Sequence, residues 1–513
     1  MSPQHDHEIH LPLPARRLRS VRVFPDPLFR ACPDAVDGRA RAMLANKRGQ
    51  PFDEGLLHDG TASVLAKEHR ETRCSDRSTQ RRENRVAALG EAAMTIWISG
   101  LILLAIAAPL TPPAAAGDIF RDAPANPKMT ERQRTQLDLV RASDAATGIK
   151  IVQAASYSVL QDVLTKDADS LGSPSKIELA LGDKAVLTAL RTSIAEYAGK
   201  SVWRGVVEGG GGRVTLMWWA DGEIAGTVQH EGRYYSIRRI GGSLHAIVEL
   251  SDDRMPPEHP AQILASSDRF GSAQKNRALN APLQTKPRKT APNADVTIDV
   301  LVAYTNKAAS YYGDIKHELI ELAIEEANES FRISNLSNVK LRLVHAYQTD
   351  YVEAGDQFED LWRLADKGDG HMEEVHALRE KYRADVVVLL VDDRHGCGLS
   401  TRVHADAEEA FSVVHHECAA TTHSIAHEIG HIIGTRHDLS MDKIMTPFPY
   451  GHGYVNGTKW RDIMSYRESC GGCRRVPIWS SPLVMFEGEP AGTPDQDNAR
   501  VIAEEAPRVA GFR

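Results

Sequence analysis

The segment that most constrains this chain is His427-Glu428-Ile429-Gly430-His431-Ile432-Ile433-Gly434-Thr435-Arg436-His437-Asp438. On a helix, positions i and i+4 lie one above the other, so His427 and His431 can chelate a single ion. Glu428 is displaced by one residue; it misses the ion but reaches a water held on it, the place of a catalytic base. Gly434 marks where the chain turns out of the helix, with a φ that glycine tolerates without steric cost. The turn returns His437 as a third ligand. Three imidazoles leave the fourth tetrahedral position open, which is the arrangement of a catalytic rather than a structural Zn2+ site. Thr421 or Thr422 is expected to cap the helix, and Ile425, Ile429, Ile432 and Ile433 to pack it onto a sheet. Two histidines around a glutamate recur by chance; Gly434 and His437 at fixed offsets make the pattern specific.

A chain of 513 residues exceeds one ordinary core, so two or three domains are expected. Hydrophobic residues at 42% and charged residues at 25% are those of a globular protein. The net charge of −8 argues against nucleic acid as a partner, because phosphate neutralisation needs a basic face. No stretch of about 20 apolar residues occurs, so a stable membrane span is not expected.

Residues 94–117 read as a signal peptide: an apolar core from Ile96 to Leu110, then Ala114-Ala115-Ala116 before Gly117. This predicts export to the periplasm or medium, after cleavage near Ala116. The signal begins at Met94, so residues 1–93 are read as a non-native or disordered extension, the alternative being an internal anchor with a cytoplasmic arm. Cys397, Cys418, Cys470 and Cys473 cluster in the last quarter of the chain, which suits two disulfides in an exported domain. Their pairing stays open, and Cys470-Gly-Gly-Cys473 could instead be a redox or metal pair.

From 118 to 200 the pattern is helical, as at Thr130–Ala142 and Asp183–Tyr197. From 201 to 250, apolar runs separated by Asp221-Gly222, Glu231-Gly232 and Gly241-Gly242 form an antiparallel meander. Residues 118–262 thus make a mixed helix and antiparallel-β domain, separate from the C-terminal half, and polar residues 263–295 make a linker. Strand and helix periods then alternate across 296–513: a strand at Val296–Tyr304, a helix through Ile315, Leu319, Leu322, Ala323 and Ala327, a strand at Val339–Leu343, a helix near Met372–Tyr382 and a central strand at Asp385–Val391. This predicts an α/β domain with a mainly parallel, twisted sheet and an active-site helix.

The twelve-residue motif resembles that of the metzincin zinc metalloproteases, and Asp438 after the third histidine is similar to the reprolysin-like branch. Pro447–Tyr454, Trp460–Tyr466 and the tail from Trp479 to Arg513 resemble the bacterial group of peptidyl-Asp metalloendopeptidases. The resemblance covers 296–513, with the meander loosely similar to a propeptide. It implies a zincin-type catalytic domain, protein or peptide substrates, and Met464 packed beneath the histidines. Met445 is the competitor for that place. Tyr466 matches a tyrosine that stabilises the oxyanion in some metzincins, and is otherwise a core residue. His415, His416, His423 and His452 are expected to have structural or surface roles, and His415 and His416, consecutive in a strand and facing opposite ways, cannot both be ligands of one ion. The strand Phe411–Val414 is a candidate edge for substrate pairing. If the resemblance extends to specificity, a cation among Arg461, Arg467, Arg474 and Arg475 receives an acidic side chain. The propeptide-like region acts as an intramolecular inhibitor; lacking cysteine, it is left with steric or carboxylate blockade. A zinc hydrolase of non-peptide substrates and a silent binding module are the alternative readings.

Overall fold

The computed structural model describes residues 119–166, 175–182, 186–197, 199–260 and 294–513. The extension 1–93, the signal segment with its cleavage near Ala116, and most of the linker 263–295 lie outside the described residues.

The N-terminal half is a nine-stranded antiparallel sheet. Its strands are β1 (Phe120–Asp122), β2 (Ala146–Ala154), β3 (Lys176–Ala180), β4 (Val186–Tyr197), β5 (Lys200–Val207), β6 (Gly212–Trp219), β7 (Ile224–His230), β8 (Arg233–Gly241) and β9 (Leu244–Leu250). They are ordered β1-β2-β9-β8-β7-β6-β5-β4-β3. The turn dipeptides act as expected: Glu231 and Gly232 both have positive φ, the geometry of a tight hairpin. The helix Glu131–Arg141 also forms, with Thr130 and Gln133 in a reciprocal capping box. The helix expected at 183–197 does not: the described part of that segment, Val186–Tyr197, is β4, paired with β3 and β5. Its short apolar run fits both periods, and cross-strand pairing decides between them.

The second half holds β10 (Val296–Tyr304), β11 (Val339–Gln348), β12 (Val386–Val391), β13 (Gly398–Ser400) and β14 (Phe411–His415), ordered β11-β10-β12-β14-β13. All pairings are parallel except β13 on β14. The central strand β12 is buried throughout. Val386, Val388 and Leu390 join the cluster containing Ile425, Ile429 and Ile432 of the helix Ser424–Ile433. Val387, Leu389 and Val391 face Leu361, Leu364 and Val375 on the opposite side. Leu361 and Leu364 belong to a helix, Gln357–Ala365, that the sequence pattern had not disclosed. The strand Phe411–Val414 is not a sheet edge; β14 is hydrogen-bonded on both sides and β13 is the edge on that side of the sheet. The physical reason is that a strand buried along its whole length, as this one is, is covered when a neighbouring stretch of chain can fold back beside it.

The antiparallel half, expected as separate, shares a buried cluster with the second: Val202, Met217, Trp219 and Ala225 pack with Leu319, Leu322 and Ala323. Around them the contact is ionic. Lys200 meets Glu321 at 3.0 Å, Arg204 meets Glu325 at 2.5 Å and Arg213 meets Glu329 at 3.2 Å. Among the described residues two disulfides form, Cys397–Cys418 and Cys470–Cys473. Among the described residues no helix is long and apolar enough to cross a membrane.

Candidate metal centre

The helix Ser424–Ile433 follows His423, whose φ is +60°. Neither Thr421 nor Thr422 caps it. Their hydroxyls donate back to the carbonyls of Glu417 and Cys418, serving the short helix Cys418–Thr421 instead. The helix ends at Gly434 (φ +139°), where a Cβ would lie 2.8 Å from the Phe448 ring. Only glycine fits there, and the turn it permits directs His437 back toward the helix.

Three imidazoles converge as the motif requires. The carbonyl of Ile463 accepts from His427 Nδ1 and that of Thr435 from His431 Nδ1, each at 2.9 Å. Those bonds fix the tautomers and turn both Nε2 lone pairs inward. His437 Nε2 stands 3.2 Å from His427 Nε2 and 2.9 Å from His431 Nε2. Nitrogens bound to one tetrahedral zinc at about 2.0–2.1 Å would lie roughly 3.3 Å apart, so the donor set suits a metal ion. Burial is the first cause holding all three imidazoles well below their usual pKa range, which keeps them neutral and available as ligands.

A fourth imidazole joins them. His259, from the chain that follows β9, places Nε2 2.9 Å from His437 Nε2. Its Nδ1 donates to the carbonyl of Gly398 on β13 at 2.8 Å. The four histidines form one group whose ligand nitrogens all lie within 4.8 Å of one another.

Glu428 is buried beside this group. Ser400 Oγ lies 2.8 Å from both Glu428 Oε2 and the Glu428 carbonyl. Burial pushes the Glu428 carboxyl up to about 8. Gly398 makes room for it, since a Cβ there would sit 2.6 Å from Glu428 Oε1.

Asp438 ties the far wall together. One carboxylate oxygen accepts from the Tyr466 backbone N–H and from Ser469 Oγ, and the other accepts from the Ser440 backbone N–H. Met464 is fully buried in the cluster that holds Ile425 and Ile429, whereas Met445 is 45% exposed. The Tyr466 ring meets His437 edge-on at 4.6 Å between centroids.

The flanking histidines fall elsewhere. His415 and His416 stack at 4.7 Å rather than facing apart, because β14 ends at His415 and strand alternation stops there. His416 bonds Tyr312 and Asp392 through its two nitrogens. His452 donates to the His437 carbonyl at 2.9 Å, and His423 is buried.

Of the four arginines, Arg461 and Arg475 are almost wholly buried, and both grip the carboxylate of Glu258. Arg467 lies with Asp252 and Asp253, and Arg474 with Glu487. Sequence reasoning missed Glu258, His259, Gly398 and Ser400. The one available signal was Pro256-Pro257-Glu258-His259-Pro260, a carboxylate and an imidazole side by side, framed by prolines after the meander.

A mainly parallel sheet backed by a helix carrying two histidines and a glutamate, with a third histidine after a glycine turn, defines a metallopeptidase of the metzincin type. The model of Metallo-peptidase family M12 (Reprolysin_5) matches residues 294–477. A peptidyl-Asp metalloendopeptidase of Xanthomonas campestris is 36% identical over 292 residues, 56% of this chain and 67% of the relative. One from Stenotrophomonas maltophilia is 31% identical over 398 residues, 72% of this chain and 90% of the relative. Among solved structures, metalloproteinase-II from Bacteroides fragilis is similar at TM-score 0.32 and 14% identity, over 55% of this chain and 86% of that one. The chain belongs to the peptidyl-Asp metalloendopeptidase family and is a metalloendopeptidase.

Proposed function

We propose that this chain is the latent precursor of an exported zinc endopeptidase that cleaves internal peptide bonds beside aspartate. Zinc would be held by His427, His431 and His437, with Glu428 as general base. The observation that carries this is the convergence of three neutral imidazoles with the buried carboxyl of Glu428, one helical position away. Zinc, when bound, supplies Lewis acidity that polarises a carbonyl and brings the pKa of water near neutrality. Glu428 takes the proton of the attacking water and returns it to the departing amine, held in place by Ser400. Tyr466, edge-on to His437, can donate its hydroxyl to the oxygen that gains charge. Met464 packs under the histidines and Asp438 braces the loop that carries both residues.

The preference for aspartate rests on the relatives' name and on Arg461 and Arg475, two buried cations already holding a carboxylate. The edge strand β13 is the surface to which an extended substrate adds by backbone pairing. Residues 118–262 act as propeptide. The ionic contact of Lys200, Arg204 and Arg213 with Glu321, Glu325 and Glu329 supports this, because such a surface tolerates water once the sheet has left. Maturation is placed in the linker, near Lys286–Asp295.

The test is Glu428→Gln. The variant should retain one zinc per chain and lose about 100-fold or more of chelator-sensitive peptide cleavage. Near-wild-type turnover refutes the assignment.

A further inference from the structure

We propose that Glu258 and His259 are a two-point internal inhibitor: His259 supplies the fourth nitrogen to the metal, and Glu258 fills the specificity pocket made by Arg461 and Arg475. This rests on the zinc endopeptidase reading and names both its latency device and its acid-recognising subsite.

The first point is the geometry of the imidazoles. Three of the four donate through Nδ1 to the carbonyls of Ile463, Thr435 and Gly398. Their Nε2 atoms are therefore acceptors, and His437 Nε2 sits among them at 2.9, 3.2 and 2.9 Å. A proton on His437 Nε2 could serve only one of these three contacts, whereas a cation between the nitrogens serves all of them. A zinc ion with four imidazoles has the closed shell of a structural site and no position for water. His259 also stands beside the base, with Nδ1 3.8 Å from Glu428 Oε1.

The second point is the pocket. Arg461 and Arg475 belong to the chain on either side of Met464, in a short parallel pairing of Trp460–Arg461 with Arg474–Arg475. Each guanidinium is fixed by the fold itself, Arg475 through the carbonyls of Thr422 (3.0 Å) and Ser465 (3.3 Å), and Arg461 through that of Cys473. Two buried cations this close need an anion, and Glu258 provides it, with Arg461 Nη2 at 3.3 Å. Once residues 258–259 leave, the pair is unneutralised and ready for a substrate carboxylate. A second acid, Asp252, lies 3.0 Å from Arg461 and leaves with the same segment.

The third point is the backbone. The Cys397 N–H donates to the carbonyl of Pro257 at 2.7 Å, beside the edge strand β13. Gly396 admits the ring of Pro260, which a Cβ would meet at 2.5 Å. An edge-strand contact, an acidic side chain in a cationic pocket and a metal-facing group on consecutive residues together copy how a peptide substrate would lie. The flanking prolines hold the segment extended and remove N–H donors.

The test uses the full precursor carrying Glu428→Gln, loaded with zinc or cobalt. Zinc X-ray absorption on this parent should count four imidazoles and no solvent oxygen; three imidazoles plus oxygen overturns the metal half without any further variant. The cobalt form should show no visible-band response to acetohydroxamate at concentrations that saturate a His259→Ala variant. An equal response from parent and variant overturns it likewise. For the pocket, the otherwise wild-type precursor is activated by limited proteolysis, with and without Arg475→Gln. Its ratio of kcat/KM for a peptide with Asp at the cut to the same peptide with Asn should fall at least tenfold in the variant; an unchanged ratio overturns the pocket. Failure of the endopeptidase reading looks different, since neither peptide would be cleaved by the activated wild type.

Discussion

The carboxylate of Asp438 accepts the backbone N–H of Tyr466 at 3.0 Å, joining the residue after the third histidine to the loop that carries Met464. The same side chain binds Ser440 and Ser469, so one buried carboxylate ties the 438–440 turn to the 466–469 segment. Asp438→Ala should leave those donors unmet and cost on the order of 3 kcal/mol. Thermal melting should show the loss, and zinc should dissociate faster. A melt indistinguishable from wild type would mean the loop is held by other contacts.

Ser400 is bonded to both the side chain and the carbonyl of Glu428. Ser400→Ala frees the carboxylate to rotate. The expected result is a roughly 10- to 100-fold fall in kcat with metal content unchanged. Steady-state kinetics on activated enzyme, alongside metal analysis, separates this from loss of zinc.

Gly434 combines a φ of +139° with a ring 2.8 Å from where a Cβ would be. Gly434→Ala is expected to destabilise by about 2–3 kcal/mol and to displace His437. Zinc affinity measured by competition with a chelator should weaken more than stability alone accounts for.

Burial pushes Glu326, which faces the antiparallel sheet and accepts from Thr227, up to about 7. Its ordinary value is 4.5. Below 4.5 the group is protonated in both folded and unfolded chains and costs nothing. Between 4.5 and 7 the unfolded chain ionises while the folded one keeps its proton, so precursor stability falls as pH rises and then levels off. Glu326→Gln should remove that part of the slope in denaturation midpoints across this range. A slope unaltered by the substitution would assign the pH dependence elsewhere.

Tyr466→Phe removes the hydroxyl of a ring packed edge-on against His437 and leaves the backbone bond to Asp438 intact. If the hydroxyl serves the oxyanion, kcat falls about 100-fold with KM little changed. A kcat close to wild type makes Tyr466 a packing residue.

Local spacing made much of this protein legible. His427, Glu428 and His431 are positioned by a helical period, and Gly434 by a requirement only glycine meets. The meander was readable because its turn dipeptides and alternating apolar runs agree. The 183–197 segment was not, because Val186, Leu187 and Leu190 fit either period and only pairing with β3 and β5 settles the matter. The sheet edge failed for a related reason: a short segment rich in apolar residues such as Phe411–Val414 declares burial, not which neighbours bury it. What tertiary structure alone decided is which distant groups meet. His259 is 178 residues from His437, and Glu258 over 200 from Arg461, yet they share one site. No periodicity links such residues; they meet because the end of the antiparallel sheet runs past the edge strand β13, and packing fixes what spacing cannot.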